Sequence, residues 1–229
     1  MKKINLKTNL KEGLDCRKEF KAAYQNRYTW EKDFPGYQGS CSWSDVTNKT
    51  TQGSFIVDKN LKVIVNRIQD PQINKMIHSQ LWEVAIHRVR RTFEETHGAN
   101  TFKSGFSNEY GTEVIVGGKN QGDKYRIKND IINMVYRHIH GSLIRIFTEE
   151  IIMTDNGYLG KKYTSQYLDP KSDLPLKNKN IFKDDFEQIE SNGTWVLRQR
   201  EIEEESNDEN IIEKQKFNFF NIKQIDYKL

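Results

Sequence analysis

The stretch GTEVIVGGKNQGDKYRIKNDIINMVYRHIHGSLIRIFTEEIIMTDNGYLGKKYTSQYLDP, residues 111–170, decides the fold. Short β-prone runs at residues 112–116, 124–128, 131–140, 143–153 and 161–168 alternate with clusters of turn formers. Those clusters are Gly117-Gly118-Lys119-Asn120-Gln121-Gly122-Asp123, Asn129-Asp130, Gly141 and Asp155-Asn156-Gly157. No gap between runs can hold the crossover helix that parallel pairing needs, so the segment reads as an antiparallel meander. The expected fold class is α+β, a curved antiparallel β-sheet forming a half-barrel wrapped around two main helices. Such a shape suits holding a molecule better than transforming one.

Working outward, residues 15–30 read as the first helix, with Cys16, Phe20, Ala23 and Tyr24 on one stripe. Pro35-Gly36 breaks it. Residues 37–44 alternate, with Tyr37, Cys41 and Trp43 on one side and serines on the other, as in a strand with one wet face. Residues 53–58 and 61–66 form a hairpin around Lys59-Asn60. Asp70-Pro71 starts a second helix, since Asp caps free amides and Pro is tolerated at the first helical position. Ile73, Ile77, Leu81 and Val84 make one stripe on it, and Trp82, Ile86, Val89 and Phe93 a second. The helix is therefore expected to be buried on two sides and to stop at His97-Gly98. Downstream, residues 169–180 read as a loop, 181–190 as holding a helical turn, and 194–202 and 211–222 as strands. The acidic segment 203–210 between them reads as a loop too charged to pack. One domain over residues 1–229 is expected, flexible at 1–13 and 203–210.

A net charge of +4 on 229 residues argues against a dedicated nucleic-acid binder, which would concentrate a basic face. The charge is uneven, basic over residues 1–33 and acidic over 201–213. Two cysteines, Cys16 and Cys41, imply no disulfide framework. The N-terminus lacks the apolar core of a signal peptide, and no run reaches transmembrane length. The expected location is therefore cytoplasmic, and the sequons at Asn48 and Asn192 read as chance matches.

His138 and His140 are two apart on a strand, share a face, and could meet one ligand. Zinc would need a third protein ligand that the segment does not supply, so no metal or other cofactor is assigned. His87-Arg88-Val89-Arg90-Arg91 lies late in the second helix. Arg88 and Arg91, at i and i+3, would clamp a carboxylate or phosphate, with Arg67 and Arg137 joining from the sheet. The glycine-rich turn at 117–123 fails as a phosphate loop, because Asp123 stands where a Lys should and a strand follows. No Gly-x-Ser-x-Gly elbow occurs, and Glu149 and Glu150, adjacent on a strand, face opposite ways, so no catalytic residue is assigned. Aromatics are numerous for so polar a chain, and some, such as Trp82 and Tyr136, would line a cavity. The candidate ligand-binding set is Arg67, Trp82, His87, Arg88, Arg91, Tyr136, His138 and His140.

Several strings occur here in a familiar order. They are residues 20–30 (FKAAYQNRYTW), Phe34-Pro35-Gly36-Tyr37, residues 113–118 (EVIVGG) and residues 123–128 (DKYRIK). Arg137-His138-Ile139-His140-Gly141, Gly157-Tyr158-Leu159 and Tyr163-Thr164-Ser165-Gln166-Tyr167 follow. Over residues 20–200 the chain resembles domain-of-unknown-function family 3386, uncharacterised proteins of cyanobacteria and chloroplasts. The resemblance implies a photosynthetic cell, and stroma if the source is a plastid; it implies no activity and no catalytic residues. The order of elements is also similar to the lipoprotein-carrier fold, a likeness of topology that transfers no function. Three functions follow in order. The first is a non-catalytic binding or carrier protein holding an apolar or amphipathic small molecule, a lipid or pigment, in the half-barrel. The second is an assembly or scaffold factor for a photosynthetic protein complex, and the third a His-dependent enzyme.

Overall fold

The computed structural model describes residues 6–47, 49–139, 141–189, 193–206 and 210–226, with side chains from residue 15 onward. The sequon asparagines Asn48 and Asn192, and His140, lie outside the described residues. The chain divides into two compact units, Met1–Tyr28 with Arg91–Lys179, and Thr29–Arg90 with Asn180–Leu229. Both are dominated by antiparallel strands and carry few helices.

The first unit contains helix α1 (Leu6–Gln25). Six strands follow, numbered here after the three of the second unit's first segment: β4 (Asn100–Asn108), β5 (Gly111–Gly118), β6 (Lys124–Lys128), β7 (Ile131–Ile139), β8 (Ser142–Thr154) and β9 (Gly157–Leu168). Each pairs with the next in antiparallel register, as the meander reading requires. β4 lies upstream of that reading and was missed by it. Its exposed, Ser- and Lys-bearing face hides an alternation marked mainly by Phe102. Cys16, Phe20, Ala23 and Tyr24 of α1 pack on Val114, Val116, Tyr125, Ile127 and Ile132, so the expected stripe does form the core.

The second unit contains β1 (Gly36–Ser44), β2 (Thr50–Asp58), β3 (Val63–Asn66), helix α2 (Pro71–Arg88), β10 (Lys179–Gln188), β11 (Trp195–Glu205) and β12 (Ile211–Gln224). Their order is β3-β2-β1-β12-β11-β10. Tyr37, Cys41 and Trp43 face inward as expected, opposite Val57, Phe217 and Phe219. Gly36 opens β1 at φ +98°, and a side chain there would run into the Val57 carbonyl. The two cysteines are free and buried, Cys16 in the first unit and Cys41 in the second.

Four expectations change. The helices are few and minor beside the strands, rather than the two main ones expected; α1 packs in the first unit and α2 in the second. α2 begins as expected, with Asp70 accepting from the Gln72 and Ile73 amides, but it ends at Arg88, where Val89 turns extended at ψ 127°. A separate helix, α3 (Phe93–His97), follows, started by a capping box in which Thr92 and Glu95 satisfy each other's backbone. With the helix cut short, its second stripe does not form, and Trp82 stands 48 % exposed. Residues 179–188 are a strand rather than a helical turn, because Asp184 turns inward to a buried arginine. Finally, Glu203–Glu205 belong to β11: Glu201 and Glu203 pair with Lys183, Lys214 and Lys216, which makes the acidic strand neutral where it is paired.

Candidate functional site

In the first unit, the face under α1 can be followed across strands, because directly opposed residues in an antiparallel ladder share a face. Val114, Tyr125, Val135, Ile146 and Ser165 are successive partners along one row, and Arg137, Ile144 and Tyr167 along another. α1 lies against β4, β6 and β7. On β8 and β9 the same face keeps Ile144, Ile146 and Tyr163 half-buried and Tyr167 exposed. This is an apolar strip with a guanidinium, that of Arg137, at its head.

Arg137 is held from one side only. Its Nε donates to Asp123 Oδ2 at 3.4 Å, and its side chain stays 39 % exposed. Asp123, buried in the loop just before β6, accepts the backbone N–H of His138 at 3.0 Å, and His138 Nδ1 lies 3.3 Å from the same oxygen. One buried carboxylate thus fixes two neighbouring side chains that leave the strand on opposite faces.

His138 and Tyr136 lie on the face away from α1, where Tyr136 opposes Lys124 and Arg145. Tyr136 donates its hydroxyl to Asp173 Oδ1 at 2.6 Å. Desolvation and that carboxylate push the phenol up to about 12. Under α1, His97 is buried among Phe20, Tyr24, Phe93 and Tyr125, with Nδ1 3.2 Å from Asn100 Nδ2. Burial, helped by Arg137 and Arg27, lowers its pKa to about 4, so the ring is neutral and apolar in role. A cavity of about 400 Å³ at the other end of this sheet is lined mainly by polar groups, including Glu19, Asn108, Lys128 and Asp130, and does not suit an apolar molecule.

The second unit has a different polar centre. Arg200, fully buried on β11, forms a two-pronged pair with Asp184, Nε to Oδ1 at 2.7 Å and a terminal nitrogen to Oδ2 at 2.6 Å. Its other arm reaches α2, donating to Gln80 Oε1 at 2.9 Å, with Glu83 at 3.4 Å. Burial pushes the Asp184 carboxyl up while Arg200 pulls against that shift. The network clips α2 to β10 and β11, with the Arg200–Asp184 pair buried and Glu83 at its solvent edge.

The expected site residues divide between the two units. Arg67, exposed at φ +64° after β3, and Trp82, His87 and Arg88 belong to the second unit. Arg88 lies over the Phe186 ring at 5.5 Å. Arg91, Tyr136 and His138 belong to the first. Arg91 is beyond the end of α2, so it does not share a helical turn with Arg88. Tyr136 and His138 do come together, their ring centroids 6.2 Å apart. Among the described residues no cluster of three His, Cys, Asp or Glu could hold a metal, and no helix is long and apolar enough to cross a membrane. Reading the chain missed the pairing of Asp184 with Arg200, although Phe182, Asp184 and Phe186 do carry the period of a strand.

The family model described as "Protein of unknown function (DUF3386)" matches residues 11–225. The chain belongs to this family. No curated protein matches this DUF3386 chain. Among solved structures it is similar to a DUF1329 family protein from Desulfovibrio piger, at 12% identity and a TM-score of 0.28, over 96% of this chain and 95% of that one. It is also similar to a LolA superfamily protein from Nitrosomonas europaea, at 9% identity and a TM-score of 0.32, over 93% of this chain and 94% of that one. Likenesses of that size carry no argument about ligand or mechanism for a DUF3386 protein.

Proposed function

We propose that this DUF3386 protein is a non-catalytic binding or carrier protein for an amphipathic small molecule, a lipid or pigment. The observation that supports this is the half-exposed apolar strip of Ile144, Ile146, Tyr163 and Tyr167, headed by Arg137. An acyl chain or flat ring system would lie along the strip and displace water from it, each methylene contributing roughly 0.8 kcal/mol. A carboxylate or phosphate at its end would meet the free side of the Arg137 guanidinium in a charge-assisted hydrogen bond. In this reading the first unit's sheet acts as the half-barrel, with α1 on the same face. The setting we propose, cytoplasm of a photosynthetic cell or stroma of a plastid, rests on the resemblance to family 3386 alone.

The experiment is native mass spectrometry of the purified chain, combined with titration by a fluorescent fatty acid. The expected result is a co-purifying small molecule and saturable uptake of the probe. Ile146→Glu should abolish uptake, and Arg137→Ala should weaken it for the acid more than for the corresponding alcohol. A chain that carries nothing and takes up no probe would sink the proposal.

A further inference from the structure

Alternate turns of a meander lie at the same end of its sheet. In the first unit, the β5–β6 loop, the β7–β8 turn and the segment after β9 therefore share one end. That end presents Leu174 at 64 % exposure, Leu176 at 55 % and Ile139 at 37 %. Lys119, Lys171 and Lys177 are exposed beside them.

The leucines sit on a loop that is pinned from within. Asp169 accepts the Lys171 and Ser172 amides and the Ser172 hydroxyl. The Asp169 amide donates to the Leu174 carbonyl, the Leu176 amide to the Tyr167 carbonyl, and Tyr136 holds Asp173. Both leucines project from this tied backbone. Of the acids at this end, Asp123 is buried against Arg137 and His138, while Asp169 and Asp173 stay in contact with solvent, bonded to their own loop and to Tyr136. The three exposed lysines outnumber those two acids and leave the outward charge positive.

We propose that this end of the first unit docks on an anionic lipid surface, with Leu174, Leu176 and Ile139 entering the headgroup boundary and the three lysines meeting lipid phosphates. Small apolar tips ringed by cations match an interface that is apolar beneath and negative above, and the match is one of charge complementarity as well as hydropathy. A protein partner would call for a flatter, larger apolar patch with aromatic anchors. Lys177 lies over the Tyr167 ring of the ligand strip at 5.5 Å, so the docking is tested through Leu174, Leu176, Lys119 and Lys171, which the strip does not use, and the two proposals fail separately.

The test is sedimentation of the full chain with vesicles of phosphatidylcholine alone or phosphatidylcholine mixed with phosphatidylglycerol. The wild type should bind the mixed vesicles, release with added salt, and ignore the neutral ones. Leu174→Ser with Leu176→Ser should weaken binding roughly tenfold. Lys119→Glu with Lys171→Glu should remove it. All four positions are exposed, so the variants should melt as the wild type does, and their melting curves check that each is folded. No binding to mixed vesicles, or equal binding by folded double variants, overturns the assignment, including the case in which the rim then proves to seat a protein.

Discussion

Arg200 and Asp184 are 2 % and 3 % exposed, and neither has water to fall back on. Removing one partner leaves the other charged and buried, so Arg200→Met should cost about 3–5 kcal/mol in urea denaturation. Arg200→Met combined with Asp184→Leu should recover much of that loss, because a matched apolar pair leaves no orphaned charge. A double variant no more stable than the single one would show that the pair does more than pin α2. His97 makes a pH prediction. Its pKa is about 6.5 unfolded and about 4 in the fold, so the unfolded chain binds the extra proton between those values. The stability contributed by the neutral ring is thus complete above pH 6.5 and lost as pH falls toward 4, a change of about 3 kcal/mol. Replacing His97 by Gln should flatten the stability profile across that window, and an unchanged slope would place the titrating group elsewhere.

Between β11 and β12, Glu201 and Glu203 face Lys214 and Lys216, with Lys183 on the other side of Glu203. These pairs are partly exposed, so each contributes little, but reversing the shared member creates like charges directly across the ladder. Lys214→Glu should therefore weaken this strand pair by roughly 1 kcal/mol, seen as faster amide exchange at residues 201–205. Thr92→Ala should cost about 1 kcal/mol by uncapping α3, whose start is visible as Thr92-x-x-Glu95. The sequence reading did not use that box; it followed the apolar period through Val89 and Phe93, which continues across a break the backbone makes at Val89. The meander from β5 to β9 was legible for the opposite reason: its turns are marked by Gly, Asn and Asp, and its runs are too short for helices. Of the candidate site, the shared face of Tyr136 and His138 could be read from strand period. The head of the apolar strip could not, because Arg137 earns its place through Asp123, a contact between a loop and a neighbouring strand that no local pattern records.

The chain passes between its two units after Tyr28, after Arg90 and after Lys179, so neither unit is one continuous segment. The first unit borrows α1 from the N-terminal end of the chain to cover strands that begin at Asn100. Deleting residues 1–28 should uncover Phe93, Phe102 and Tyr125, raising binding of a hydrophobic dye and abolishing the near-ultraviolet signal of that aromatic cluster. A deletion variant with a native spectrum would mean that the strands close without the helix. The two buried cysteines fall one to each unit. Burial pushes both thiols up, Cys41 to about 11, so reactive thiolate is scarce at neutral pH and shielded as well. An alkylating reagent can reach either sulfur only when its surroundings breathe. The protein thus comes with a pair of native stopwatches, and the labelling rates of Cys16 and Cys41 time how often each half swings open.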